Sequence, residues 1–137
     1  MRILLVDDND DDIMLTELAL RECDAVLKLD VVRSGSTAVE ILGDPGKSTP
    51  YAVLLDIRLP GLDGLEVLRL SRAQEHLRNV PIVMLSSSTQ PEEMARSYVL
   101  GANSYVIKPV SFEAYRRHLR GLVGYLVRGG FRPGGAA

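Results

Sequence analysis

The sequence predicts a doubly wound α/β domain, a single five-stranded parallel sheet with helices on both faces. Two observations predict it. Apolar runs of strand length recur along the chain with helical patterns between them, and that alternation demands right-handed crossovers covering both faces of a parallel sheet. Most of these runs also stop at polar or charged residues, as strands do where a sheet opens onto a ligand crevice.

The first run, Ile3 to Val6, is a buried strand that stops at Asp7 and Asp8. A helix follows from about Asp10 to Glu22. Asn9 can cap it, Asp10, Asp11 and Asp12 suit the positive end of its dipole, and Met14, Leu15 and Leu18 fall on one face. Leu27 to Val32, alternating apolar and charged residues as far as Val31, is the second strand. Ser36 to Leu42 is a short helix stopped by Gly43, Asp44, Pro45 and Gly46. Ala52 to Leu55 is a third strand ending at Asp56, and Pro60, Gly61, Asp63 and Gly64 mark a turn-rich loop before a helix from about Leu65 to Glu75. Ile82 to Leu85 is the fourth strand and runs into Ser86, Ser87 and Ser88. Pro91 fits the first turn of a helix to about Leu100, which Gly101 closes. Tyr105 to Ile107 is the fifth strand, followed by Lys108, Pro109 and a last helix striped by Phe112, Tyr115, Leu119, Leu122 and Leu126. Residues 1–126 read as one domain and the Gly-rich segment 127–137 as a flexible tail.

Composition narrows the function. A chain of 137 residues, 46% apolar, suits one core, and a net charge of -2 lacks the basic excess of a nucleic-acid binder. The arginines near the C-terminal end, Arg116, Arg117, Arg120, Arg128 and Arg132, read as a solvated face or a protein contact. The lone Cys23 has no disulfide partner, which fits a reducing cytoplasm. The start of the chain turns acidic too soon for a signal peptide, and no apolar run reaches the roughly 20 residues that span a bilayer.

In a doubly wound sheet the residues just after the strands gather at one edge. Here they are Asp7, Asp8, Asp56, Ser86 and Lys108. Converging carboxylates raise one another's proton affinity unless a cation neutralises them. A donor set of hard oxygens, without His or Cys, suits magnesium better than zinc or a calcium cage. Asp8 and Asp56 are the expected direct ligands. Lys108 is a compact charge able to pair with a carboxylate at rest and a phosphoryl oxygen afterwards, and Ser86 offers a hydroxyl. Such a site suits phosphoryl transfer to a carboxylate nucleophile, Asp56.

These residues resemble the receiver domain of bacterial two-component response regulators. The matching pieces are Val6-Asp7-Asp8, Leu54-Leu55-Asp56 with Leu59-Pro60-Gly61 and Asp63-Gly64 behind it, Val83-Met84-Leu85-Ser86, and Tyr105-Val106-Ile107-Lys108-Pro109. The resemblance implies strand order 2-1-3-4-5, the flavodoxin-like arrangement. It also implies Asp56 as phosphoacceptor, with magnesium held by Asp8, Asp56, the backbone carbonyl of Arg58 and, through water, Asp7. Ser86 would move toward the phosphoryl group with the ring of Tyr105 turning inward, Lys108 would stabilise the phosphoryl group, and the bond before Pro109 would be cis. Leu100-Gly101-Ala102-Asn103-Ser104-Tyr105 and the short chain after Leu126 look most like single-domain regulators of bacterial phytochromes. That implies a sensor histidine kinase as donor, a bacteriophytochrome among the candidates, and output by protein contact instead of through a DNA-binding domain. It further implies a homodimer through the helix 4, strand 5 and helix 5 face, for which Val123, Tyr125 and Val127, off the predicted core stripe, give a local reason.

Ordinary explanations compete for single residues. Asp10, Asp11 and Asp12 read as helix-start residues, Tyr105 without the resemblance reads as strand packing, and Cys23, His76 and His118 lack partners at metal-ligand spacing. Two rival functions remain. A phosphatase with an aspartate nucleophile usually carries a second Asp two residues on as general acid, where this chain has Arg58. A degenerate receiver or cofactor domain would lack acceptor residues or carry a Gly-rich loop after the first strand, and neither holds.

Overall fold

The structure is a computed structural model that describes residues 1–22, 27–108 and 111–131. Five parallel strands, β1 (Arg2–Val6), β2 (Lys28–Val32), β3 (Ala52–Asp56), β4 (Ile82–Ser86) and β5 (Ser104–Ile107), form one sheet in the order β2-β1-β3-β4-β5. Five α-helices connect and flank them: α1 (Asp10–Arg21), α2 (Gly35–Gly43), α3 (Gly64–Arg72), α4 (Pro91–Val99) and α5 (Phe112–Val127).

Side chains on a strand alternate between faces, and the core divides accordingly. Leu4, Val6, Val53, Leu55, Ile82 and Met84 pack under α2, α3 and α4, whereas Ile3, Leu5, Leu54, Val83 and Leu85 meet α1 and α5. Both sides of β1, β3 and β4 are therefore buried, which is why these strands read as unbroken apolar runs rather than alternating ones. The chain leaves β1 toward β2 on one side and returns to β3 on the other, so strand order reverses between β1 and β3. Asp7 and Asp56 stand on either side of that switch point.

The helix starts follow the expected chemistry. Asn9, Ser34, Asp63 and Ser111 each accept a hydrogen bond from the amide three residues on. α4 has no side-chain cap at Gln90 and begins with Pro91 instead. Gly64 is required by close approach, because a Cβ there would collide with the carbonyl oxygen of Asp56. Its amide donates to the Ile57 carbonyl at 2.8 Å and folds the loop after β3 back over the end of the strand.

Two helix faces depart from expectation. In α1 the inner face is Ile13, Thr16, Ala19 and Leu20, while Met14 is 52% exposed and Leu18 is exposed too. Thr16 can face the core because its hydroxyl donates to the Asp12 carbonyl at 2.9 Å, so a polar residue passes as an apolar one. In α5 the buried stripe is Tyr115, Leu119, Val123 and Leu126. Phe112 is 41% exposed and Leu122 only half-buried. Spacings of 4-3-4 and 4-4-3 fit a helix equally well, and the sequence offers apolar residues at both 122 and 123. Val123, expected to lie in water on a monomer, is thus fully buried within the chain, and Tyr125 and Val127 are half-buried. α3 ends at Arg72, short of Glu75, and a 3-10 turn at Glu75–Leu77 follows.

After α5 the chain turns back. Phe131 meets the Tyr125 ring edge-on at 4.8 Å, and the Gly130 amide donates to the Tyr125 carbonyl. The bond before Pro109 and residues 132–137 lie outside the described residues.

Candidate functional site

Asp7 extends β1 by one residue, its amide donating to the Val32 carbonyl at 3.0 Å. Its carboxylate is fully buried. One oxygen accepts the Asn9 amide at 3.0 Å and the other the Lys108 ammonium at 3.3 Å. Asp56 closes β3 and is 5% exposed, accepting the Arg58 amide on one oxygen (3.2 Å) and Lys108 Nζ on the other (3.1 Å). Asp8 is exposed beside them, and one oxygen from each of Asp7, Asp8 and Asp56 lies within 4.8 Å of the others. Lys108 is aimed by its backbone, since its amide donates to the Ser86 carbonyl at 2.7 Å and prolongs the β4–β5 ladder.

A single ammonium thus faces a crowd of carboxylates. Burial of Lys108 favours the neutral amine, but the hydrogen bond it donates to Asp12 and the charges of Asp56, Asp7 and Asp12 outweigh it and hold the ammonium firmly protonated. Asp7 goes the other way: burial lifts its carboxyl from 3.8 to about 6, despite the Asn9 amide and Lys108. A buried acid held that high lacks countercharge. The three clustered oxygens, two of them on buried or nearly buried acids, therefore fit a divalent cation of the hard, oxygen-seeking kind.

The Asp7 shift has a measurable sign. A carboxyl whose folded pKa exceeds its unfolded value binds its proton more tightly when folded, so it favours the fold at low pH. That contribution, at most about 3 kcal/mol, is fully present below pH 3.8 and lost by about pH 6. Metal-free protein should melt at progressively lower temperature from pH 4 to 6.5, and Asp7→Asn should flatten the decline. Parallel curves for the two proteins would show that Asp7 carries no such penalty.

Ser86 and Tyr105 lie on the β4 and β5 side. Ser86 is buried, its hydroxyl accepting the Ser88 amide at 3.0 Å and donating to Glu93 Oε1 at 3.1 Å. The Tyr105 ring points inward and is buried, its hydroxyl donating to the Ser88 carbonyl at 3.0 Å and lying 3.2 Å from the same Glu93 oxygen. The structure therefore brings Asp7, Asp8, Asp56 and Lys108 into one cluster and joins Ser86, Tyr105 and Arg58 through Glu93, with the Arg58 guanidinium 3.3 Å from Glu93 Oε2.

Sequence reasoning missed two of these residues. Asp12, read as a helix-start acid, makes the shortest contact to Lys108, at 2.7 Å. Its position one helical turn beyond Asp8 was the available signal. Glu93 drew no notice in the sequence, where nothing local marks it as more than an acid in the first turn of α4.

Fold and site together define a doubly wound α/β domain with a cluster of carboxylates and one lysine at the carboxyl edge of its sheet. The chain belongs to the response regulator receiver domain family, whose pattern it matches over residues 3–120. It is 38% identical to the probable methanogenesis regulatory protein FilR2 of Methanothrix harundinacea, over 98% of this chain and 88% of that one. It is 30% identical to the response regulator Rcp1 of Synechocystis, over 88% of this chain and 84% of that one. The structure of the phosphorylated cyanobacterial phytochrome response regulator RcpA superposes with a TM-score of 0.89 at 31% identity, covering 96% and 97% of the two chains. The Mn(2+)-bound form of Rcp1 superposes at 0.88 with 28% identity, covering 96% and 98%. Several other curated relatives are longer chains, of which this one spans about half or less. Receiver domains take phosphoryl groups from histidine kinases and bind a divalent metal, and this site has the groups for both.

Proposed function

We propose that this receiver accepts a phosphoryl group on Asp56, with magnesium held by Asp8, Asp56, the Arg58 backbone carbonyl and, through water, Asp7. The convergence of Asp7, Asp8, Asp56 and Lys108 at the carboxyl edge of the sheet carries the reading. Magnesium, when bound, neutralises the acids and the charge that develops on the transferring group. The remaining work falls to the chain. A carboxylate oxygen of Asp56 attacks phosphorus as the bond to the phosphohistidine nitrogen breaks. Lys108, already within reach of Asp56, exchanges a carboxylate for a phosphoryl oxygen, and Ser86 supplies a hydroxyl proton to another.

The donor is a sensor histidine kinase, and the likeness to Rcp1 and RcpA supports a bacteriophytochrome as that kinase. The activity is limited to the protein's own phosphorylation and dephosphorylation. Two residues after Asp56 stands Arg58, with its guanidinium on Glu93, so that position offers no general acid for phosphatase turnover. The setting is the cytoplasm, and among the described residues no helix is long and apolar enough to cross a membrane. Acetyl phosphate with magnesium tests the reading by intact mass. One phosphoryl group retained on the protein supports it, whereas steady phosphate release without an adduct, or no reaction, overturns it.

The downstream partner is a protein, and the output face is α4, β5 and α5. The same face supports a homodimer. Burial of Val123 removes part of the original reason, but Tyr98 and Val99 on α4 remain exposed, Val99 at 85%, beside the edge strand β5. A groove lined by Val106, Ile107 and Leu122 continues that face. Light scattering across a dilution series should show a mass above the monomer at high micromolar concentration, and Val99→Glu should lower it. A monomer mass throughout, phosphorylated or not, would remove the dimer.

A further inference from the structure

Glu93 stands where three elements meet. One of its oxygens receives Ser86 Oγ from the end of β4 at 3.1 Å and lies 3.2 Å from the Tyr105 hydroxyl of β5. The other is 3.3 Å from Arg58 Nη2, in the loop after the acceptor strand. The arginine head is largely in water, so that ion pair counts for little. The hydroxyls are buried, and hydrogen bonds to a carboxylate are the stronger kind.

A serine hydroxyl has one proton. While Ser86 donates it to Glu93, it has none for a phosphoryl oxygen on Asp56. The Tyr105 hydroxyl faces the same restriction, with the Ser88 carbonyl and Glu93 as competing acceptors. We propose that Glu93 is a positioning residue that holds the Ser86 proton away from the acceptor in the unphosphorylated protein, and whose loss of that proton on phosphorylation carries the signal into α4. The inference rests on Asp56 as phosphoacceptor.

The consequences follow in order. Phosphoryl oxygens on Asp56 compete for the Ser86 proton and add negative charge to the site. Ser86 turns toward the phosphoryl group, and Glu93 is left with Tyr105 and an exposed arginine. Glu93 belongs to the first turn of α4, the helix that starts at Gln90 without a side-chain cap, so the element losing a tie is the one least anchored at its start. Tyr105 is then free to give its proton wholly to Glu93. Acceptor, switch residues and output helix are linked through a single carboxylate.

The test compares wild type, Glu93→Ala and Glu93→Gln in the full chain. Phosphorylation by acetyl phosphate with magnesium is timed by intact mass, and the backbone amide resonances of Ser86 and Tyr105 are recorded before phosphate is added. Alanine forms helix readily and Glu93 is outside the core, so cooperative melting and an unchanged far-UV dichroism spectrum will confirm the folds. Glu93→Ala should be phosphorylated about 5-fold faster, the size of one net hydrogen bond released, and its Ser86 and Tyr105 resonances should move toward their phosphorylated positions. Glu93→Gln keeps an amide oxygen able to accept both hydroxyl protons and should return rate and resonances toward wild type. A Glu93→Ala protein with the wild-type rate and unmoved resonances overturns the proposal, as does a Gln variant matching Ala. If wild type itself gains no phosphoryl group, the acceptor reading fails, and that outcome is separate from the first two.

Discussion

Asp56→Asn should end adduct formation with acetyl phosphate and magnesium while leaving the metal-free fold at least as stable. Asparagine keeps the shape of the side chain at the end of β3 and keeps an oxygen for the Arg58 amide, now 3.2 Å from the carboxylate. It removes the nucleophile, because an amide nitrogen carries no available lone pair and the amide oxygen no charge. It also turns an NH2 group toward Lys108, where two donors would face each other. The ammonium has other acceptors at hand, Asp12 at 2.7 Å and Asp7 at 3.3 Å, and moves to them. Asp7 loses a like-charged neighbour, and the elevation of its carboxyl toward about 6 should shrink. Intact mass should show no added phosphoryl group after times that saturate wild type, and the melting temperature at low magnesium should hold or rise by a few degrees. A variant that gains the group at the wild-type rate would move the acceptor elsewhere.

The sheet was legible in the sequence because burial of β1, β3 and β4 on both sides leaves apolar runs with no other plausible reading. Asp7, Asp56, Ser86 and Lys108 were legible because a doubly wound sheet gathers whatever follows its strands. Helix faces were less so. Thr16 conceals its polarity by bonding to its own helix, and the choice between Leu122 and Val123 depends on how α5 lies on the sheet, which no spacing within the helix reveals. Least legible were residues whose partners come from distant chain: Asp12 reaches Lys108 across 96 positions and Glu93 reaches Arg58 across 35. Each has an adequate local explanation as a first-turn acid, and that explanation hid the second role.

Arg72 is the same problem in the service of stability, and Arg72→Ala should cause the largest loss of stability of any substitution considered. The guanidinium at the end of α3 donates through Nε to the Gly101 carbonyl at 2.9 Å and through Nη1 to the Leu77 carbonyl at 2.8 Å. Through Nη2 it reaches the Val80 carbonyl at 2.9 Å and Asn103 Oδ1 at 2.8 Å. That Asn103 oxygen also accepts the Ile82 amide at 2.8 Å. One side chain thus joins α3, the approach to β4 and the turn between α4 and β5. Gly101 makes the turn possible twice over, with a φ of 110° that favours glycine and a Cβ position that the arginine stem occupies. Alanine at 72 strips a donor from three carbonyls and an amide oxygen in a partly buried site. Bonds to charged donors contribute about 1.5 to 3 kcal/mol each, but water can reach some of these acceptors, so a loss of about 3 kcal/mol is expected. For a domain of this size that lowers the melting temperature by about 10 °C. Lysine should recover only part, since an ammonium cannot reproduce a planar fork that reaches four acceptors. Urea unfolding of the two variants beside wild type gives the measurement. An Arg72→Ala protein within about 1 kcal/mol of wild type would mean that solvent satisfies those carbonyls equally well, and that the turn leading into β5 holds its shape without the arginine.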